Sequence, residues 1–138
     1  MTDFEIAYLF SELVNSMTAT SMNYATFLFA FLVASVAGAE RLSRGMMIIA
    51  LSAYGVIMII TIFIFSRMLL GFSGLATQIR DMANEPGSSL GWHELRYAPD
   101  IALTLAPGLA ILIYLVAFVG SLYFFRECRR GRFGLPSS

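Results

Sequence analysis

Charged residues are absent from three stretches of this chain, 13–39, 45–66 and 101–125, and apolar side chains dominate each of them. Every stretch meets the length of about 20 mainly apolar residues that a helix needs to cross a hydrocarbon core some 30 Å thick at about 1.5 Å per residue. A soluble domain can bury one such run, but three leave too little polar sequence to cover them. The pattern predicts an all-α membrane protein with three transmembrane helices, over about 20–39, 46–67 and 101–125, in a single membrane domain occupying 1–138.

The flanking periodicity adds two amphipathic segments. Over about 3–19, Phe4, Ala7, Tyr8, Leu13, Val14 and Met17 share one helical face, opposite Ser11, Glu12, Asn15 and Ser16. Thr2 or Asp3 is placed to cap this helix, which is expected to run on into the first span. Beyond Arg67, apolar residues from Leu69 and Phe72 through Ile79 to Ala83 recur at three- and four-residue spacing. They predict an amphipathic extension over about 68–84, either a projection of the second helix or a separate surface helix, with Gly71 and Gly74 permitting a bend. Turn chemistry from Asn84 to Ser89 ends it. Trp92 and Tyr97 fit a headgroup-level aromatic belt, and the third helix restarts after Pro99. Within that helix Pro107 and Gly108 predict a kink, because proline removes a backbone donor and crowds the preceding turn. Residues 40–45 form a tight hairpin flanked by Gly38 and Gly45, which makes the first two helices antiparallel neighbours.

Composition agrees. Of 138 residues 58% are hydrophobic and 13% charged, about half the charged share of a soluble domain. The net charge is zero, and all nine basic residues are Arg. Arg41 and Arg44 in the first hairpin, with Arg126, Arg129, Arg130 and Arg132 in the tail 126–138, mark the cytoplasmic side by the positive-inside rule. The acidic N-terminus (Asp3, Glu5, Glu12) and the 67–100 loop are then outside, and the expected location is a bacterial inner membrane. Ala37-Gly38-Ala39 resembles a signal-peptide cleavage site, but an acidic segment precedes it where a secretory signal is basic, so the segment is read as a mature span.

Candidate chemistry is sparse. One histidine, His93, cannot supply two axial haem ligands within a chain, and its surroundings match no metal motif. No phosphate loop, nucleophile elbow or HExxH motif occurs. The reading is a non-enzyme with no cofactor, and four arginines beside a membrane point to lipid headgroups rather than nucleic acid. Cys128 lies among arginines, which favour a thiolate, so a reactive or lipidated cysteine is one reading. An incidental juxtamembrane thiol is the preferred one.

Two sets of residues remain. Ala30, Ala34 and Gly38, and likewise Ala102, Ala106 and Ala110, recur at four-residue spacing, which lets helix backbones approach closely in lipid. Phe27, Phe29 and Phe31 would then face lipid or a partner. Asn15, Thr18 and Asn23 head a polar stripe on the first helix that would line a path in a channel, or bond between helices in a packed bundle. Span centres carry no ionisable residue to mark an ion pathway. The expected function is therefore a structural or interaction subunit, packing with itself or another membrane protein in the bilayer. A small oligomeric channel or transport component is the alternative.

Overall fold

The computed structural model describes residues 2–85 and 100–132. Three long helices, α1 (Asp3–Gly38), α2 (Arg44–Ala83) and α3 (Asp100–Arg129), make up nearly all of it. Trp92, His93, Tyr97, Pro99 and the tail from 133 onward lie outside the described residues, as do the side chains of residue 3 and residues 100–104.

Thr2, not Asp3, caps α1. Its hydroxyl accepts the Glu5 N–H at 3.3 Å, while the Glu5 carboxylate accepts the Thr2 N–H at 2.8 Å, so two otherwise orphaned donors are satisfied. The helix then runs unbroken for 36 residues from the amphipathic segment into the apolar span. The two alternatives for the region after Arg67 resolve in favour of a projection, because α2 is continuous for 40 residues through Gly71 and Gly74. At about 1.5 Å per residue α1 and α2 are about 54 and 60 Å long, against a hydrocarbon core of about 30 Å. Both therefore overhang the membrane at the end remote from their connecting turn. Phe10 packs on Phe72 in that overhang with ring centroids 5.2 Å apart. Ile6, Ala76, Ile79 and Ala83 are buried there.

The connection between α1 and α2 is a 3-10 turn, Ala39–Arg41, followed by extended Leu42 and by Ser43, which caps α2 by accepting the Met46 N–H at 3.3 Å. Neither Gly38 nor Gly45, which flank the turn, takes a left-handed conformation. Among the described residues only Gly131 has positive φ, at 75°. It ends α3: the Arg132 N–H reaches back to the Glu127 carbonyl at 3.3 Å and the Gly131 N–H to the Cys128 carbonyl at 3.0 Å. Those are the two bonds by which a Schellman motif satisfies terminal carbonyls. Earlier in α3, the helix continues through Pro107 and Gly108 without interruption.

Each helix contacts the other two, which closes a three-helix bundle. Its central layer is Tyr24, Tyr54 and Met58, with Leu28, Phe31, Ile62 and Tyr114 packed around them. A second layer at the turn end joins Ala39, Phe125 and Cys128.

Candidate functional site

Lipid tails are as apolar as leucine, so hydrophobicity alone does not bring helices together in a bilayer, and packing and polar contacts decide the seam. Here the seam is aromatic and hydroxylic. Tyr54 stacks on Phe31 at 3.7 Å and 6°, and its hydroxyl shares a 2.8 Å hydrogen bond with Ser121 of α3. Ser121 is itself in bonding distance of the Phe118 carbonyl, at 2.6 Å. Tyr24 donates to the Tyr114 carbonyl across α1 and α3. Tyr114 returns the link by donating to Ser21 at 2.5 Å and stacks on Phe65 of α2 at 4.5 Å. One chain of contacts thus ties all three helices together in the region where each crosses the membrane.

Small-residue approach does not build this seam. Ala30, Ala34 and Ala106 are exposed, Gly38 and Ala110 are half-buried, and the Ala102 side chain lies outside the described residues. A methyl group built on Gly38, Gly55, Gly108 or Gly120 would meet nothing within 4 Å, so no backbone lies close to them. The central layer is filled instead by large side chains, Tyr24, Tyr54, Met58, Phe31 and Tyr114, and Ala30, Ala34 and Ala106 are left on the outside. The phenylalanines are corrected in the same way. Phe27 and Phe29 are exposed, but Phe31 lies inside, between Tyr54 and Phe125.

The polar stripe of α1 is also external to the single bundle. Asn15, Thr18 and Asn23 are all exposed; Thr18 also lines an open, largely apolar cleft between α1 and α2, beside Ser21, Phe65 and Phe72. Thr18 donates to its own helix at the Val14 carbonyl, 2.9 Å away. Thr20, Thr26, Ser35 and Thr61 bond back one turn in the same manner, which satisfies their hydroxyl hydrogens in a medium without water. Asn23 has no such recourse: no hydrogen bond forms to its amide among the described residues.

What the structure adds is that these two sets combine on one exposed face. Glu12, Ser16, Ala19, Asn23, Thr26, Ala30, Ala34 and Ala37 succeed one another at three- and four-residue intervals and so share one face of α1. All are exposed except half-buried Ser16. This face points away from the seam. The alanines singled out for packing and the asparagine singled out for a path therefore belong to one continuous strip of small and polar side chains.

At the turn end, Glu127 is buried, with its Oε1 accepting from Arg130 Nη1 at 3.2 Å. Its Oε2 faces Arg132 Nη1 at 3.0 Å as an ion pair without hydrogen-bond alignment. Cys128, just beyond the third span, is 1% exposed. Burial pushes its thiol above the ordinary value, and the Glu40 carboxylate adds to this, so the expected thiolate-stabilising effect of the arginines is overturned. A buried, protonated thiol is suited neither to lipidation nor to redox chemistry. Among the described residues no group of three or more His, Cys, Asp or Glu converges as a metal site.

Three helices long and apolar enough to cross a membrane, packed as a closed bundle with an aromatic seam, define a helical integral membrane protein. No protein-family model, curated protein or solved structure matches the chain.

Proposed function

We propose that the chain is a small structural subunit of a bacterial inner membrane, N-terminus outside and C-terminus cytoplasmic, that works by packing the outer face of α1 against another transmembrane helix. A second copy of the chain is the simplest partner. The observation that supports this reading is the exposure of Ala19, Asn23, Thr26, Ala30, Ala34 and Ala37 along one face. Small side chains let a neighbouring helix approach to dispersion contact, and an amide such as that of Asn23 costs free energy in hydrocarbon unless another helix satisfies it.

A channel assembled around the same face is less well supported. Polar groups occupy only its outer half: past Thr26 the strip continues as Ala30, Ala34 and Ala37, which offer nothing to an ion or to water. No catalytic role belongs to this reading.

Single cysteines at 15, 18, 20, 23 and 26 in a Cys128→Ser background separate the two functions. Packing predicts that a charged thiol reagent stops labelling near the membrane surface and that liposomes show no flux. Detergent-solubilised mass should exceed that of a monomer and fall in Ala34→Leu, since overpacking a helix contact costs about 1–3 kcal/mol. A monomeric mass for the parent chain, or flux abolished by Asn23→Leu, would defeat the proposal.

A further inference from the structure

Two exposed strips of the bundle complement each other in size and charge. On α1 the strip of small side chains carries the unbonded amide of Asn23 and, further towards the overhang, the carboxylate of Glu12. On α2, Ile49, Val56, Ile60, Phe63 and Arg67 follow one another at three-, four- and seven-residue intervals and so share one face. All of them are exposed, and this face is turned away from the seam. The α1 strip is small where the α2 strip is bulky. Arg67 has no carboxylate in ion-pair distance among the described residues, and Glu12 has no cation.

Within one chain Phe31 stacks on Tyr54 and Thr20 meets Met68 at 3.6 Å, which fixes how the levels of α1 and α2 pair off. Two copies in one bilayer sit at the same depth, so the same pairing of levels holds between neighbours. It sets Ala37 against Ile49, Ala30 against Val56, Thr26 against Ile60 and Asn23 against Phe63. Arg67 falls opposite Ala19, one turn nearer the overhang than Asn23. A helical side chain leans towards the N-terminus of its own helix. Because α1 and α2 are antiparallel, Asn23 and Arg67 lean towards each other. We propose that the partner is a second copy of this chain that presents α2, its Ile49–Arg67 face seated on the small strip of α1 and its Arg67 donating to the Asn23 amide oxygen. The inference rests on the reading of the α1 face as an interface. Pairing α1 with α1 would set Glu12 against Glu12, and α2 with α2 would set Arg67 against Arg67, and juxtaposed like charges oppose association. Pairing α1 with α2 sets Glu12 against exposed Gly74 instead. Such a contact is heterologous, and it builds a ring about the membrane normal where the rotation closes.

Disulfide formation between two differently tagged copies, co-expressed in Cys128→Ser backgrounds and oxidised in native membranes, tests this. Ala30→Cys in one copy and Val56→Cys in the other should cross-link several-fold faster than either does with itself, because a disulfide needs Cα atoms within about 7 Å. Ala37→Cys with Ile49→Cys should behave likewise. Ala30→Cys with Ile49→Cys, displaced by two turns, should not. In a fixed detergent, Asn23→Leu and Arg67→Gln should each raise the dissociation constant of the oligomer about three- to tenfold, the range usual for a polar contact between transmembrane helices. The double variant should be no weaker than either single one, since both remove the same bond. Fastest cross-linking between two Ala30→Cys copies would overturn the α1–α2 pairing and leave α1 as an interface. Additive losses in the double variant would overturn the Arg67–Asn23 contact. An oligomeric mass without a disulfide at any of these pairs would overturn the inference alone, whereas a monomeric mass would take the proposed function with it.

Discussion

Replacing Tyr54 tests how much of the bundle is held by shape and how much by polar contact. The ring is 8% exposed and stacks on Phe31 at 3.7 Å, and its hydroxyl meets Ser121 at 2.8 Å. Tyr54→Phe keeps the stack and removes one interhelical hydrogen bond, a contact that in bilayers averages about 0.6 kcal/mol and rarely exceeds about 1.7. Ser121 retains the Phe118 carbonyl as a partner at 2.6 Å, so no buried group is stranded and the cost should lie near the lower figure. Tyr54→Ala removes the ring as well. Transfer of apolar surface contributes little where the surroundings are lipid, but the void remains. At about 24 cal/mol per Å³ of residual cavity, a void of about 100 Å³ costs about 2.4 kcal/mol. With the hydroxyl, the expected total is about 3 kcal/mol.

The assay is a denaturant titration in a fixed mixed micelle, followed by far-UV circular dichroism, on the parent chain and both variants. A double-mutant cycle of Tyr54→Phe with Ser121→Ala should return a coupling of about 0.5 kcal/mol. Equal costs for Tyr54→Phe and Tyr54→Ala would mean that the hydroxyl dominates, and the packing argument would fall. A cost below about 1 kcal/mol for Tyr54→Ala would refute the placement of the ring in the seam.

Two other predictions concern the ends of the chain. A reporter fused after Ser138 should be cytoplasmic and one inserted between Ser88 and Ser89 external; a cytoplasmic signal from the insertion would remove the three-span topology. Cys128 should react with a soluble maleimide only slowly in the folded protein and rapidly once denatured, and parent-like rapid labelling without denaturant would contradict its burial. The folded state favours the neutral thiol, so it holds that proton more tightly than the unfolded chain does. The associated stability is therefore complete below the ordinary thiol value of 9.0 and fades as pH rises above it. A Cys128→Ser variant should lose that alkaline dependence.

The helices were legible from sequence because their cause is local. Three uncharged runs and the caps around them follow from hydrophobicity and backbone bonding, which depend on near neighbours. The continuity of α2 past Arg67 was not settled, since Gly71 and Gly74 are compatible with either a straight or a bent helix until the packing of Phe72 on Phe10 is known. The reactive alternative left open for Cys128 had a similar origin. Its sequence neighbours are arginines, but its spatial neighbours are Ala39, Phe125 and the Glu40 carboxylate, and the latter set its proton affinity.

The seam itself was not legible in the sequence for a deeper reason. In a soluble protein the apolar face is the inner face, so a pattern of hydrophobic positions names the core. Inside a bilayer both faces of a helix are apolar, and that rule loses its direction. Small residues were read as helix-packing positions because they permit close approach, and within the chain the inner face is filled by Tyr24, Tyr54 and Tyr114. Tyrosine meets two requirements at once, filling the space between three helices and carrying a donor that can reach a partner backbone or serine. Alanine is used within the chain towards the two ends of the bundle, at Ala39, Ala76 and Ala83, while rings fill its middle. The small residues, Ala19 through Ala37, are then left on an outer face where lipid gains nothing from their smallness and only a second helix can use it. The aromatic seam and the small outer strip are therefore two sides of one arrangement: the first fixes the bundle, and the second leaves it able to dock.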